Sequence, residues 1–258
     1  MNRLRIFAGV LFLALIFVVP QIASAIGLEA AIGGWQQDPS GDISYKGQSL
    51  DVENDLKYDS KTKVFGRVKI DMPLMMPNIY LMATPMKFEA DGSKTANFTF
   101  GDKTFDITAP FSSKVQLDHY DICLYYGLPF LKTATLGKLN AEVGLNARII
   151  DFKAEITGRE ASTVLQVTES KSMTLPVPMI YVGAQFKPIK LIGIEAEVRG
   201  IAYSGNHYYD LIGRVKVRPI GPAFIAGGYR YEDIKIDRDD VKANLKFEGP
   251  FIEAGVEF

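Results

Sequence analysis

Apolar and polar residues alternate along several long runs of the chain. In the clearest run, residues 139–149, every odd position is Leu, Ala, Val or Ile, and every even position is Asn, Glu, Gly or Arg. Residues 192–202 and 209–218 repeat this alternation. Because a β-strand turns successive side chains to opposite faces, a period of two predicts strands with one apolar face. With few helical stripes and many Gly, Pro, Asn and Asp breaks between the runs, the pattern predicts an all-β fold.

The length of the alternating runs distinguishes between two all-β architectures. A soluble β-sandwich also buries one face of each strand, but its strands typically hold about five or six residues. Several runs in this chain reach ten residues or more. Strands that cross a bilayer need about 9–11 residues. The lengths therefore predict a transmembrane β-barrel.

Aromatic residues near the predicted strand ends support the membrane assignment. Membrane barrels carry girdles of Tyr, Trp and Phe at the two headgroup levels. Trp35 ends the first predicted strand, and we expect it to be a girdle residue. Five tyrosines occupy similar places, namely Tyr203, Tyr208, Tyr209, Tyr229 and Tyr231.

We predict a closed antiparallel transmembrane β-barrel of ten strands, and an even number lets both termini lie on the same side. With the termini in the periplasm, segments 37–62, 89–112 and 153–172 become long outer loops, and the second should contain a hairpin at 95–107 around Gly101-Asp102. A barrel of eight strands with a paired outer extension is the alternative. The predicted strands lie near residues 26–36, 63–71, 78–88, 113–126, 137–152, 173–187, 191–203, 208–218, 223–236 and 241–258.

Two stretches do not keep one parity in this assignment. Between Phe247 and Ile252 the outward apolar positions change from odd to even, with Gly249-Pro250 at the change. We predict a bulge or kink there, because an extra residue in a strand absorbs such a slip. Residues 114–126 change parity in the same way.

Residues 1–25 have the composition of a secretory signal peptide. Two arginines precede an apolar run at 6–19, and Ala23-Ser24-Ala25 supplies small residues for cleavage. This run of 14 residues is shorter than the roughly 20 that a transmembrane helix needs. We therefore expect cleavage near Ala25, and residues 26–258 then form a single outer-membrane barrel domain.

The chain ends on a strand that resembles a known assembly signal. Alternating apolar residues that stop on a terminal Phe resemble the signal read by the barrel-assembly machinery of bacterial outer membranes. We expect this machinery and outer-membrane lipid to be partners of a monomeric barrel in a Gram-negative bacterium. The residues of the signal are Ile252, Ala254, Val256 and Phe258.

Composition excludes several classes of function. The chain of 258 residues has 29 Lys and Arg against 30 Asp and Glu, so it lacks the basic excess that nucleic-acid binding needs. One cysteine, Cys123, excludes an intramolecular disulfide, and two histidines leave little for a metal site. We predict neither a cofactor nor a metal.

Several local motifs together resemble one known family. They are Ala31-Ile32-Gly33-Gly34-Trp35, Pro39-Ser40-Gly41, Tyr45-Lys46-Gly47, Gly205-Asn206-His207-Tyr208-Tyr209-Asp210 and Gly249-Pro250-Phe251. The chain resembles the proteobacterial outer-membrane β-barrel family with an N-terminal Gly-Gly motif. This resemblance implies an outer-membrane barrel, and it implies no activity and no functional residues.

The polar face of the strands should line the lumen. Charges of both signs are expected there, and buried charges are costly unless they are paired. An internal salt-bridge plug and a narrow passive pore for small solutes are the two main interpretations, and binding or adhesion through the outer loops is a third. The charges predicted to line the lumen are Arg67, Asp121, Glu142, Arg148, Glu195, Glu197, Arg199, Asp210, Arg214, Lys216 and Arg218.

One arrangement suggests catalysis. Asp118, His119 and Asp121 resemble the rim Asp and His groups with which ten-stranded outer-membrane proteases activate water. Because neighbours on a strand face opposite sides, only His119 and Asp121 share the lumen. Neither a second acidic pair nor a Gly-x-Ser-x-Gly elbow accompanies them in the sequence. We therefore predict that the chain is not an enzyme and has no catalytic residue, and an outer-membrane hydrolase is the weakest alternative.

Overall fold

The computed structural model describes residues 27–73, 75–92, 97–106, 109–163, 165–238 and 240–258. The predicted signal peptide at 1–25 lies outside these residues. The strands are β1 (Gly27–Tyr45), β2 (Leu50–Asp51), β3 (Lys61–Asp71), β4 (Asn78–Thr84), β5 (Lys87–Gly92), β6 (Phe98–Phe100), β7 (Lys103–Phe105), β8 (Phe111–Gly127), β9 (Leu139–Arg159), β10 (Gln166–Ile189), β11 (Ile192–Tyr203), β12 (Asn206–Ile220), β13 (Ala223–Arg238) and β14 (Val241–Glu257). One short helix, α1 (Pro129–Ala134), lies between β8 and β9.

The strands form a closed antiparallel barrel with ten positions in its wall. Each wall strand pairs with its neighbours, and β14 pairs with β1 from Glu29↔Glu257 to Tyr45↔Val241 to complete the circle. Strands β4 and β5 share one position, because both pair with β8 in the same register on either side of Pro85-Met86. The prediction of ten strands is confirmed, and the alternative of eight is wrong.

The outer surface of the barrel carries an apolar belt. On β9 the outward residues from Leu139 to Ile149 are all apolar. At about 3.4 Å per residue and a tilt of about 40°, this span rises roughly 26 Å, the height of the apolar band of outer-membrane barrels. No helix in the described part of the chain is long and apolar enough to cross a membrane.

Beyond the belt, the two faces of the wall exchange polarity. On β9, Asp151, Lys153 and Glu155 follow on the outer face, whereas Ile150 and Phe152 are buried on the inner face. The barrel therefore extends past the membrane as a wall with a water-facing exterior and an apolar interior. The strands are correspondingly long, and β9 and β10 hold 21 and 24 residues.

This exchange explains both changes of parity in the sequence. Odd residues of β14 face inward from Val241 to Glu253, and the register of β14 with β13 is unbroken. The predicted bulge at Gly249-Pro250 is therefore wrong, because no residue is inserted there, although Gly249 has a φ of 154° and the pairing with β1 skips these two residues. Residues 114–126 also keep one inward parity throughout. In both cases the surroundings of the strand change from lipid to water, and the strand itself continues.

The outer loops fold into the mouth of the barrel. Strand β2 pairs with β1 and starts a loop whose Leu50, Val52 and Leu56 are buried. Strands β6 and β7 form the hairpin expected at 95–107, and its Phe98 and Phe100 are 1% exposed. The main apolar core of the protein therefore lies beyond the belt, under these loops. We name the two ends of the barrel extracellular and periplasmic after the orientation that the sequence predicts, so this core lies in the extracellular half.

Candidate functional site

The charges predicted to line the lumen all point into it. They come from β3, β8, β9, β11 and β12. Glu142 and Arg218 keep part of their side chains exposed at the periplasmic end. The other nine are buried, namely Arg67, Asp121, Arg148, Glu195, Glu197, Arg199, Asp210, Arg214 and Lys216.

Three arginines and three carboxylates form a layer across the lumen, which we call the arginine tier. At its centre, Arg230 donates to the two carboxylate oxygens of Asp210 at 2.8 and 2.9 Å, and Arg148 also donates to Asp210. Arg148 donates to both oxygens of Asp121 at 2.8 and 2.9 Å. Bidentate pairs of this kind fix orientation as well as charge. The tier consists of Arg148, Arg199, Arg230, Asp121, Asp210 and Glu232.

Two aromatic residues expected in the girdle pack instead against arginines of this tier. The Arg230 guanidinium lies 4.6 Å from the centroid of the Trp35 ring, and Arg148 lies 4.7 Å from that of Tyr208. Both rings are buried. The girdle assignment of Trp35 and Tyr208 is therefore wrong, because each has the inward parity of its strand. That parity, shared by Tyr208 and Asp210 on β12, is the signal that could have placed them.

A third arginine is held by tyrosines that sequence reasoning missed. Arg199 lies 4.7 Å from the ring centroid of Tyr80 and 5.3 Å from that of Tyr181. Its guanidinium also donates to Glu197 at 3.0 Å. The guanidinium plane packs against aromatic rings while its N–H groups pair with a carboxylate, and this combination allows a buried arginine to stay charged.

A second set of ion pairs, which we call the basal network, lies on the periplasmic side of the tier. Arg67 donates to the two carboxylate oxygens of Glu253 at 2.8 and 2.9 Å and lies 2.6 Å from Glu29. Arg214 donates to Glu197 at 2.6 Å. The network also includes Lys216, Glu195 and Glu257. It ties together strands β1, β3, β11, β12 and β14.

Little space remains in the middle of the lumen. A void of about 10 Å³ lies between Trp35, Arg214 and Arg230. This volume is close to the lower limit for holding one water molecule. A polar vestibule of about 140 Å³, lined in part by Lys69 and Glu142, opens at the periplasmic end of the lumen.

The suggested catalytic pair does not form an accessible site. His119 is fully buried, with Nδ1 3.2 Å from the carbonyl oxygen of Leu117 and Nε2 3.3 Å from Glu232. Asp121 accepts hydrogen bonds from Asn146 and Arg148. A general base must reach the water that it activates, whereas Asp121 is bound within the arginine tier and His119 lies buried against Glu232 of that tier. Asp118 accepts from the backbone N–H of Met86 at 2.7 Å, on the outer side of the wall.

Ion pairs attach the β6–β7 hairpin to the wall. Lys103 lies 3.0 Å from Glu160, and Lys46 lies 3.2 Å from Asp102. The Thr163 hydroxyl and the Lys103 ammonium hold the pKa of Glu160 below its usual value. Nearby, burial raises the pKa of the Tyr58 phenol above its ordinary value. Among the described residues, no group of His, Cys, Asp and Glu side chains could hold a metal ion.

Comparison with known proteins finds a distant structural likeness. Neither a family model nor a curated protein matches the chain. The attachment invasion locus protein Ail of Yersinia pestis, solved with the heparin analogue sucrose octasulfate, shares 13% identity over 91% of this chain and 99% of its own, with a TM-score of 0.35. The translocator domain of the autotransporter NalP from Neisseria meningitidis shares 8% identity over 98% and 95%, with a TM-score of 0.40.

A third structure, Neisserial surface protein A, shares 11% identity over 91% of this chain and 98% of its own, with a TM-score of 0.32. All three are outer-membrane barrels. At these scores the matches carry nothing beyond that resemblance, and they do not show the N-terminal Gly-Gly family.

Proposed function

We propose that this protein is a closed, non-conducting outer-membrane barrel whose working part is the half that projects outside the membrane. One observation carries the proposal. Two layers of paired charges fill the lumen within the apolar belt, and an apolar core fills it beyond the belt. Both halves of the route that a solute would take through the barrel are therefore occupied by side chains.

The paired charges support closure because they are difficult to remove from one another. Arg67, Arg148 and Arg214 are buried, and each meets at least two carboxylates within 4 Å. Separating such a pair leaves an uncompensated buried charge, which costs about 3–5 kcal/mol. Transient opening of a water path through the tier would require several such separations at once.

The extracellular half supports a role in surface binding. Its loops pack inward, as the burial of Phe98 and Phe105 shows, so the exposed surface is the outer face and rim of a rigid wall. Binding sites placed on strands are held more precisely than sites on loops. A narrow passive pore is the alternative, and it requires the side chains of the lumen to be displaced.

The proposal includes the route to the membrane. Residues 1–25 are removed near Ala25, and the assembly machinery inserts a monomer through the strand that ends at Phe258. Ile252 is exposed on the lipid-facing side of that strand, as recognition at an outward surface requires. The mass of the protein isolated from outer membranes would test the cleavage position.

Single-channel recording in planar bilayers tests the proposal. The mature protein is refolded, its barrel is verified by a heat-shift gel, and a known porin in the same bilayer serves as the positive control. We expect silence from verified barrels, since the arginine tier blocks the lumen. Discrete, reproducible conductance steps from the unmodified protein would establish the pore instead.

A further inference from the structure

The extracellular wall has a notch between β10 and β13. The β9–β10 and β13–β14 hairpins on either side extend far beyond the belt. The β11–β12 hairpin between them is shorter, because β11 ends at Tyr203 and β12 begins at Asn206. Pairing of β10 with β11 begins only at Ile180↔Gly200, so within the described residues 166–179 of β10 have a strand partner on the β9 side alone. The Asn206 side chain accepts from the backbone N–H of Asp237 at 2.6 Å and fixes the floor of the notch.

The apolar core of the extracellular half is open to the outside at this notch. A groove of about 270 Å³, which we call the lateral groove, is lined by Leu175, Val177, Ile201, Tyr208 and Ile236, among others. Four of these side chains are only partly buried against the core. Apolar surface left open in an otherwise closed wall is typical of a ligand groove.

The lateral groove continues onto the lipid-facing wall. A second depression, of about 430 Å³, is lined by residues that face lipid, including Leu145, Val182 and Val198. The two share Pro178 and Ile201. From Leu175 to Val182 the path follows β10 for about 23 Å at roughly 3.3 Å per residue. One leaflet of the hydrocarbon core is about 15 Å thick, so the path can hold a long alkyl chain that enters from the membrane.

The edge of the notch is poorly suited to receive another strand. Pro176 and Pro178 lie in the part of β10 that has no partner beside the notch. Proline lacks the N–H that an added strand would need and is a common protection of sheet edges. An alkyl chain makes no such demand, because it binds by burial of apolar area.

The charge at the rim of the lateral groove favours an anionic head. Lys235 and Arg238 line the groove, and Lys235 is exposed with no carboxylate within 4 Å among the residues that the structure describes. The nearby Asp237 already pairs with Lys242 at 3.3 Å. His207, also at the rim, lies 3.1 Å from Asp233. The Lys235 ammonium therefore offers a positive charge at the rim to a ligand whose tail lies in the groove.

We propose that the lateral groove binds the long alkyl chain of a free alkyl carboxylate that enters from the outer leaflet, with the carboxylate beside Lys235. This inference deepens the proposed surface role of the extracellular half. Conductance steps from the unmodified protein would refute only the proposal that the lumen is closed. Absence of ligand binding would refute only the proposal that the lateral groove is a binding site, so the two failures are distinguishable.

Binding of a fluorescent fatty-acid analogue tests the inference. The mature protein in phosphatidylcholine nanodiscs is titrated with dansylaminoundecanoic acid, with empty nanodiscs as the blank. We expect saturable binding that dodecanoate displaces. Binding no greater than in empty nanodiscs would overturn the proposal, as would native mass spectrometry that finds a phospholipid chain held in place of the carboxylate.

Matched tryptophan substitutions locate the site. Ile201→Trp fills the lateral groove, and we expect it to weaken binding at least tenfold. Ile194→Trp lies on the lipid-facing side of the same strand and should change binding less than twofold. Leu175→Trp replaces Ile201→Trp if the latter fails the heat-shift gel. Equal binding by the groove and control variants would place the ligand elsewhere.

The rim charge has its own test. Lys235→Gln should weaken binding of dodecanoate severalfold and leave competition by dodecanol unchanged, because the alcohol carries no charge. Dodecyltrimethylammonium should compete poorly against the probe. Equal competition by the cationic and anionic amphiphiles would overturn the assignment of Lys235 as the partner of the head.

Discussion

Single residues of the lumen show how charge is kept away from water. Asp210 accepts hydrogen bonds from Arg148 and Arg230, and Arg199 lies 3.7 Å from the same carboxylate. An aromatic ring covers a face of each of these arginines. Guanidinium groups are weakly hydrated and planar, so they accept this combination of ring and carboxylate better than ammonium groups would.

The Gly33-Gly34 pair has a physical reason that applies to its first member only. Gly33 faces inward, where an added Cβ would lie 2.5 Å from the Ile252 carbonyl oxygen and 2.8 Å from the Phe65 ring. Gly34 faces outward, and an added Cβ would meet only the Thr62 methyl group, at 3.3 Å. The first glycine thus lets Phe65 and the neighbouring ion pairs pack against the wall.

We expect Gly33→Ala to destabilise the barrel by about 1–3 kcal/mol, the usual cost of overpacking a closed interior. Gly34→Ala should change stability by less than about 0.5 kcal/mol, as surface substitutions usually do. Urea unfolding in lipid vesicles, followed by tryptophan fluorescence, measures both, since Trp35 is the sole tryptophan. Equal midpoints for the two variants would show that the inner wall can yield at Gly33.

The odd or even position of a residue along its strand predicts which charged residues face the lumen. It does not predict which aromatic residues do. A charged side chain on a membrane strand avoids lipid and faces the lumen, so the alternation predicts the positions of Arg214 and Glu197. A tyrosine suits either a girdle or a buried polar tier. The sequence therefore does not predict that Tyr80 and Tyr181 face the lumen, whereas the structure shows both rings beside Arg199.

At the scale of strands, alternation fixes the faces but does not identify what each face meets. In β14, Leu245 and Phe247 face the lumen while Ile252 faces lipid. Both sets are apolar, because the extracellular half has an inner core and the membrane half has an outer belt. A rule that assigns every apolar side chain of a strand to the outer face must therefore place a bulge between Phe247 and Ile252. The ten strands could be predicted from sequence, whereas the length of their extensions beyond the membrane could not.

Cysteine labelling distinguishes the continuous strand from the bulge. We expect Asn244→Cys to react with a membrane-impermeant maleimide at least tenfold faster than Ala243→Cys, because residue 243 is 6% exposed inside the barrel and residue 244 is exposed. The native Cys123 is buried and should give little background. In urea the two variants should react alike. Faster labelling at residue 243 in the folded barrel would restore the bulge at Gly249-Pro250.

For the whole molecule, the two fillings of the lumen act in series. The arginine tier and basal network occupy the membrane half, and the core with the β6–β7 hairpin occupies the extracellular half. The first depends on charge pairing across the barrel and the second on burial of apolar area. The proposed closure then predicts that each filling blocks the lumen by itself, so loss of one should leave the barrel sealed.

Conductance of three variants tests this arrangement in series. Replacing residues 97–106 with a short Gly-Ser linker removes Phe98, Phe100 and Phe105 from the mouth, and we expect this variant to remain silent. Arg199→Ala alone should also be silent, because the outer core still fills the mouth. Their combination should conduct and select cations, since Glu197 and Asp210 lose a neutralising partner within 4 Å. Steps from the linker variant alone would mean that the charged tier does not seal the membrane half.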